Sequence, residues 1–458
     1  MMDMDDPLDF ENEDPIVNPP PDVKRRKKVI GLDDLLCDFY KEKSKHIDKA
    51  NKQKKARKIY DSDEDENGKE ALLSKYVNDC QNQMNEISGE EDIQEWGLSM
   101  FGDQEIPPAL VLPELGSCCL FKDFTNNEMS SMVDLTGDKG GILLEGLLKN
   151  GWLTRLVLTC AHAETLICKW TLNLLLYSSK EELRSSACDF WCSILESQKE
   201  VNGRPVKIDW LPSYHEIKGA LETYGFQFSS SPNSNHANTD FESQGPPQSI
   251  RAWITFVAAC CQTRGKKRIF AISQAEQLAE VTVWLLLDRR LLGLSLLLHD
   301  CLESIVGYFK EGEWVCSCKK ITNSLASRVP SDINCLKMVE SISGVDARSK
   351  HLRSALANQM LMVLLEHREA NEEEILSSLV SINVKEKGCD LFKTYISMAL
   401  AENWLLHGSL LEEKPVLKEM WGVFLRNCSC QINSTDLRAF ASKIRTKASY
   451  LLQGCVIN

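Results

Sequence analysis

Glycine and proline are scarce in this chain, at 24 and 15 among 458 residues. A many-turned β architecture places them at each turn, so their scarcity beside abundant Leu argues against sandwiches and barrels and for helix. A phosphate-binding loop is missing as well. Gly137-Asp138-Lys139-Gly140-Gly141 lacks both the spacing and the following Lys-Ser/Thr. No two of the eight His stand at a helical metal spacing with Glu between them. His162 and His299 fall inside Leu-rich patterns, where a hydrogen-bonded core histidine is expected. The usual marks of nucleotide hydrolysis and metal-assisted catalysis are absent. The sequence therefore reads as a protein that is not an enzyme and holds no metal or cofactor.

A secretory address is lacking too: Met1 to Glu13 is acidic and has neither a basic n-region nor an apolar h-region. The 18 Cys are then expected to be reduced thiols. Cys160, Cys168, Cys188, Cys192 and Cys301 sit in apolar helical patterns, where a thiol serves as a small hydrophobe. Cys316-Ser317-Cys318 and Cys428-Ser429-Cys430 have one-residue gaps, whereas zinc pairs usually leave about two to four. Buried or loop thiols are expected there. The most lipid-like stretch, Val281 to Leu298, carries Asp288, Arg289 and Arg290 at its centre, which is costly in a bilayer. It reads as two buried helices joined by a charged turn, with no membrane involved.

What is present is core-forming material. Apolar residues make up 43% of the chain, enough for most of it to fold. From Trp96 onward they recur at helical spacing, as in Leu352, Ala355, Leu356, Met360, Val363 and Leu364. Ser179 to Glu182, Ser213 to Glu216 and Ser273 to Glu276 match the capping-box pattern, and Gly225 suits a helix C-terminus. No fixed-period repeat appears. The expected fold is all-α, with irregular antiparallel helix pairs stacked as a HEAT-like α-solenoid. Its N-terminal half spans 96–225. A flexible Ser/Asn/Pro/Gly loop spans 226–249, and a C-terminal half of about nine helices spans 250–458.

The first 95 residues have a different character and are expected to form a disordered charged tail. Acidic residues crowd the start. Between Lys24 and Lys58 there are fourteen Lys/Arg against five Asp/Glu, and an acidic run from Asp61 to Glu66 follows. Lys24, Arg25, Arg26, Lys27 and Lys28 form a basic run suited to an import receptor, which predicts nuclear localisation. Lys54, Lys55, Arg57 and Lys58 are candidates for phosphate contacts to DNA. Ser62, ahead of four acidic residues, is a candidate phosphosite. Residues 30–40 hold one amphipathic helix, with Leu32, Leu35, Leu36, Phe39 and Tyr40 on a single face. Such a short helix is marginal alone, so this stripe is expected to dock on a partner. Past residue 70 the balance is 53 − 15 = 38 basic against 66 − 19 = 47 acidic residues. A net of −9 makes the body a poor DNA binder, so DNA is reached indirectly or through the tail.

Several stretches share an order with a known family. Ile30-Gly31-Leu32-Asp33-Asp34-Leu35-Leu36 lies in the basic tail. Trp96-Gly97-Leu98, Phe101-Gly102 and Pro107-Pro108 come next, followed by Gly151-Trp152-Leu153 and the run from Trp170 to Ser179. This order resembles the CANIN-domain family, in particular its plant branch that partners an SNI-type subunit. The resemblance implies a non-catalytic adaptor that pairs with a second helical subunit. The pair would bind the SMC five–six core, regulate its ATP hydrolysis and loading on DNA, and support recombinational repair. An alternative from another class is a standalone HEAT-like nuclear scaffold for transport or transcriptional repression.

Overall fold

The computed structural model describes residues 96–113, 118–121, 137–197, 205–228, 245–264, 268–367, 370–406 and 410–457. Every described residue lies in one compact unit, Gln83–Asn458. The amphipathic stripe at 30–40, both basic clusters and Ser62 lie outside the described residues.

The described part is all-α. It begins with α1 (Gly137–Lys149), α2 (Trp152–Cys160), α3 (Thr165–Tyr177), α4 (Glu181–Glu196) and α5 (Tyr214–Thr223). Then come α6 (Ile250–Gln262), α7 (Ile272–Leu286), a 3-10 helix (Arg289–Leu294), α8 (Ser295–Tyr308) and α9 (Glu311–Arg328). The chain ends with α10 (Ile333–Ser341), α11 (Ala347–Leu364), α12 (Glu372–Val380), α13 (Leu391–Leu405), α14 (Leu410–Glu413), α15 (Pro415–Gln431) and α16 (Ala441–Ile457). Among the described residues, eleven α-helices stand from residue 250 onward, where the sequence pattern suggests about nine. The strands are a two-residue parallel pair, β1 (His162–Ala163) beside β2 (Lys207–Ile208).

Packing runs as a procession. Helices α1 and α2 lie on α4, α4 pairs with α3 and passes to α6, and α6 lies on α8. From α8 contact goes to α7, then α9, α11, α13, α16, α15 and α12. Short connections force neighbouring helices antiparallel, and each buries one apolar stripe against the next pair. The result is an irregular α-solenoid with a continuous core. Residues 96–225 and 250–458 meet directly, because α3 and α4 both pack on α6.

Helix α7 shows why the Val281 to Leu298 stretch is so apolar. It touches α8, α9, α10 and the 3-10 helix, so Val281, Val283, Trp284, Leu285 and Leu287 are all buried. A helix surrounded by others has no use for a polar face. The expected charged turn is present: Asp288 caps the 3-10 helix by accepting from the Arg290 N–H. Arg289–Tyr308 is long and apolar enough to cross a membrane on length and composition alone. In the fold, Leu298, Cys301, Leu302, Ile305 and Val306 of this run are buried against neighbouring helices.

Helix ends follow the sequence signals with two displacements. At α5 the capping box forms as the pattern requires: Glu216 N–H donates to Ser213 Oγ, and Ser213 N–H donates to the Glu216 carboxylate. The C-terminus of α5 is a Schellman motif. Phe226 N–H donates to Leu221 O and Gly225 N–H to Glu222 O, with Gly225 at φ +89°. At α4 and α7 the start lies off the Ser-based pattern. Helix α4 is capped at Lys180, with Glu181 and Glu182 in its first turn. Helix α7 starts two residues early, and Gln274 accepts from the Ala271 N–H. Neither helix has a side-chain cap from its N-cap residue; at α7 Gln274 bonds only the N-cap N–H. On α11 the stripe includes Leu352, Leu356, Met360 and Leu364 as expected. Leu361 belongs to it instead of Val363, which faces water.

Ahead of α1, residues 96–105 form an extended strap across the stack. Leu98 N–H donates to Leu287 O, and Gly97 N–H to Asn334 Oδ1 on α10. Phe101 bridges antiparallel to Phe226, Gly102 N–H donates to Gly225 O, and Glu105 N–H to Thr223 O. Asp288, wholly buried, accepts from the Met100 N–H at 3.1 Å and pairs with Arg290 at 2.7 Å. Arg290 also lies over the Phe101 ring. Leu98, Met100 and Phe101 fill the space beneath. The approach is close enough that a Cβ on Gly225 would stand 2.6 Å from Gly102 O. The strap thus ties the end of α5 to the turn after α7.

Candidate interaction surface

The chemistry-bearing residues of the described part are mostly absorbed by the fold. Cys316 and Cys318 lie on α9, and Cys428 and Cys430 on α15, so these pairs are helical thiols and do not sit in loops. Residues two apart on a helix point to opposite sides, which leaves Cys318 and Cys428 buried and Cys316 and Cys430 exposed. Burial pushes the Cys318 and Cys428 thiols up to about 12. Among the described residues no cluster of three or more His, Cys, Asp or Glu has a metal-holding arrangement.

His162 departs from the expected core histidine. It stands on β1, half-exposed, with Nε2 2.7 Å from Asp209 Oδ2. The His162 contact, with Lys207 beside it, holds the Asp209 carboxyl below its ordinary range. This pair closes the parallel bridge between the start of α3 and the segment before α5. His299 does lie on a helix, α8, and its Nδ1 is buried with no hydrogen-bond partner. Glu164, next to β1, accepts from the Cys119 and Leu120 N–H groups and holds residues 118–121 against α3.

Arg264 and Arg268, the described residues of the basic run 264–268, each bond within the fold. Arg264 pairs with Glu313 at 2.7 Å and lies over the Tyr308 ring, and Arg268 donates to Phe270 O. An aromatic chain continues from Tyr308 through Phe309 to Trp314, where Arg348 covers the ring and donates to the Val306 and Phe309 carbonyls. Arg348 thus satisfies carbonyls at the end of α8, while Arg264 ties the end of α6 to the first turn of α9. Sequence density alone could not separate them from a DNA-facing patch.

Among the described residues two surfaces bear on function. The first lies on the helices at the start of the procession. Ile142 of α1, Trp152 and Leu158 of α2 and Leu166 of α3 are exposed, Trp152 at 54%. Arg155 covers part of the Trp152 ring, at 5.1 Å from its centroid. Gly151, at φ +71°, turns the chain so that Leu153 enters the core while Trp152 faces out. The second is a cavity of about 640 Å³ between the strap, the ends of α3 and α5, and residues 245–249 ahead of α6. Its floor is rigid: Tyr224 Oη donates to Leu176 O at 2.6 Å, and Arg184 Nη1 to Ser178 O at 2.6 Å. Sequence reasoning missed this cavity, because its walls come from four separated segments. Comparisons with protein-family models, with curated proteins and with solved structures find no match to this chain.

Proposed function

We propose that this protein is a non-catalytic adaptor subunit of the SMC five–six chromosome-maintenance complex. It pairs with a second helical subunit of the SNI type to regulate ATPase activity and loading on DNA during recombinational repair. In this reading it acts in the nucleus, entering through an import receptor that grips Lys24 to Lys28. Leu32, Leu35, Leu36, Phe39 and Tyr40 dock on the complex. Lys54, Lys55, Arg57 and Lys58 supply the DNA contact, and phosphorylation of Ser62 weakens it.

The observation that supports an adaptor is the exposed tryptophan on the helices at the start of the procession. Trp and Arg are among the side chains most enriched at binding hot spots, and here Arg155 lies over the exposed Trp152 ring. Ile142, Leu158 and Leu166 on the same three helices add apolar area that the stack itself leaves uncovered. Stacked helices also offer long surfaces for a second helical protein.

Affinity purification of the tagged full chain from its own cells, read by mass spectrometry, tests this. SMC subunits and one helical partner should be recovered together. Trp152→Glu should cut that recovery about tenfold, a loss of about 1.4 kcal/mol, while the circular dichroism spectrum stays unchanged. Recovery of transport or repressor machinery without SMC subunits would establish the scaffold reading instead.

A further inference from the structure

We infer that the cavity beside the strap is a binding cleft for an extended peptide carrying lysine or arginine, supplied by a partner protein. Three features of its lining carry this, independently of the function proposed above. Asp103 and Glu105 stand exposed on the strap wall, and among the described residues neither has an ion-pair partner. No Lys, Arg or His is among the described residues that line the cavity. The remaining walls combine apolar faces, Pro107, Pro246, Pro247 and the half-buried Tyr177, with neutral polar side chains such as Gln104, Ser179, Thr223 and Gln248.

The charged groups on these walls are two carboxylates, which only accept, and no cation among the described residues lines the cleft beside them. A cleft whose charge is wholly negative is completed by a ligand that brings positive charge with its donors. Lysine and arginine bring several each, with positive charge to match two carboxylates. Their aliphatic stems can lie along the proline and tyrosine faces while the charged head stays at the rim. The cavity is bounded by fixed backbone: Glu105 N–H is bound to Thr223 O, and Ile250 N–H to Pro247 O. A cleft held open in this way takes a peptide without first ordering itself, which favours binding. A neutral or acidic peptide gains none of this and meets repulsion from Asp103 and Glu105.

The full chain is incubated with a biotinylated Gly-Lys-Pro-Lys-Pro-Lys-Gly peptide and a water-soluble carbodiimide. The reagent joins a peptide amine to a protein carboxylate as an amide, releasing the urea, and peptide mapping locates each joint. Asp103 and Glu105 should be coupled about tenfold more than Glu182 and Glu311, which are exposed carboxylates elsewhere on the body. Ser179→Arg, a change at an exposed position on the rim, should remove that preference and leave coupling at Glu311 unchanged. Coupling that follows exposure alone, or a preference that survives Ser179→Arg, would overturn the cleft as a peptide site.

Discussion

Single residues in the seam between α7 and α9 carry charge into partly dry surroundings. Ser317 Oγ donates to Glu276 and Ser324 Oγ to Glu280, each at 2.7 Å, and Lys320 lies 3.5 Å from Glu276. Burial raises the Glu280 carboxyl above its ordinary value, with only partial opposition from Ser324 and Arg328. A carboxyl whose folded value lies above its unfolded one holds its proton more tightly when folded. Its contribution therefore favours folding at low pH and is lost as pH rises through the folded value. At neutral pH the ionised Glu280 is a cost. Glu280→Gln keeps the acceptor for Ser324 and removes the charge. It should raise the melting temperature at pH 7, with a gain that shrinks toward pH 4, as thermal melts across that range would show. A gain independent of pH would assign the effect to packing.

At the scale of elements, legibility tracked how local the cause was. The α5 cap was readable because Ser213 and Glu216 are three residues apart and need no help from elsewhere. Gly225 was readable for the same reason, although its second role, admitting the strap carbonyl, depends on residues more than a hundred positions away. The α4 and α7 starts depart from the Ser pattern, since their N-cap residues are Lys180 and Ala271, neither of which accepts a capping bond. The apolar run from Val281 reads as two buried helices, and from Val281 to Leu287 every residue is indeed buried by its own chain. Past the charged turn burial is incomplete, with Leu292 and Leu296 exposed at 51% and 75%. This contrast gives an expected pair of outcomes. Leu285→Ala, at a site with no exposure, should cost about 2–5 kcal/mol in urea unfolding. Leu296→Ala should change stability by less than about 0.5 kcal/mol. A large loss at Leu296 would mean that this face is covered when the protein is alone.

For the whole molecule, the strap decides how far the stack behaves as one body. Residues 96–105 follow no helical period, and nothing in their sequence announces a structural role beyond the Trp-Gly-Leu and Phe-Gly pairs. Those pairs make sense only in place. Leu98, Met100 and Phe101 plug the joint between α5 and the turn after α7, and Asp288 is buried because Arg290 and the Met100 N–H satisfy it. Taking the strap away uncovers that joint and leaves a buried carboxylate with one fewer donor. Each of the three apolar side chains is worth roughly 1.5–3 kcal/mol when buried, offset in part by the freedom the released strap regains. Two truncations isolate the effect, one removing residues 1–95 and one removing residues 1–104. The longer truncation should be less stable than the shorter by roughly 3–5 kcal/mol in urea unfolding. It should also gain hydrogen exchange at the Gln227 and Leu287 amides, near which the strap is bound. Matching stability in the two truncations would mean that the helices hold the joint without the strap. The walls of the adjoining cleft would then have to be fixed by α3, α5 and residues 245–249 alone.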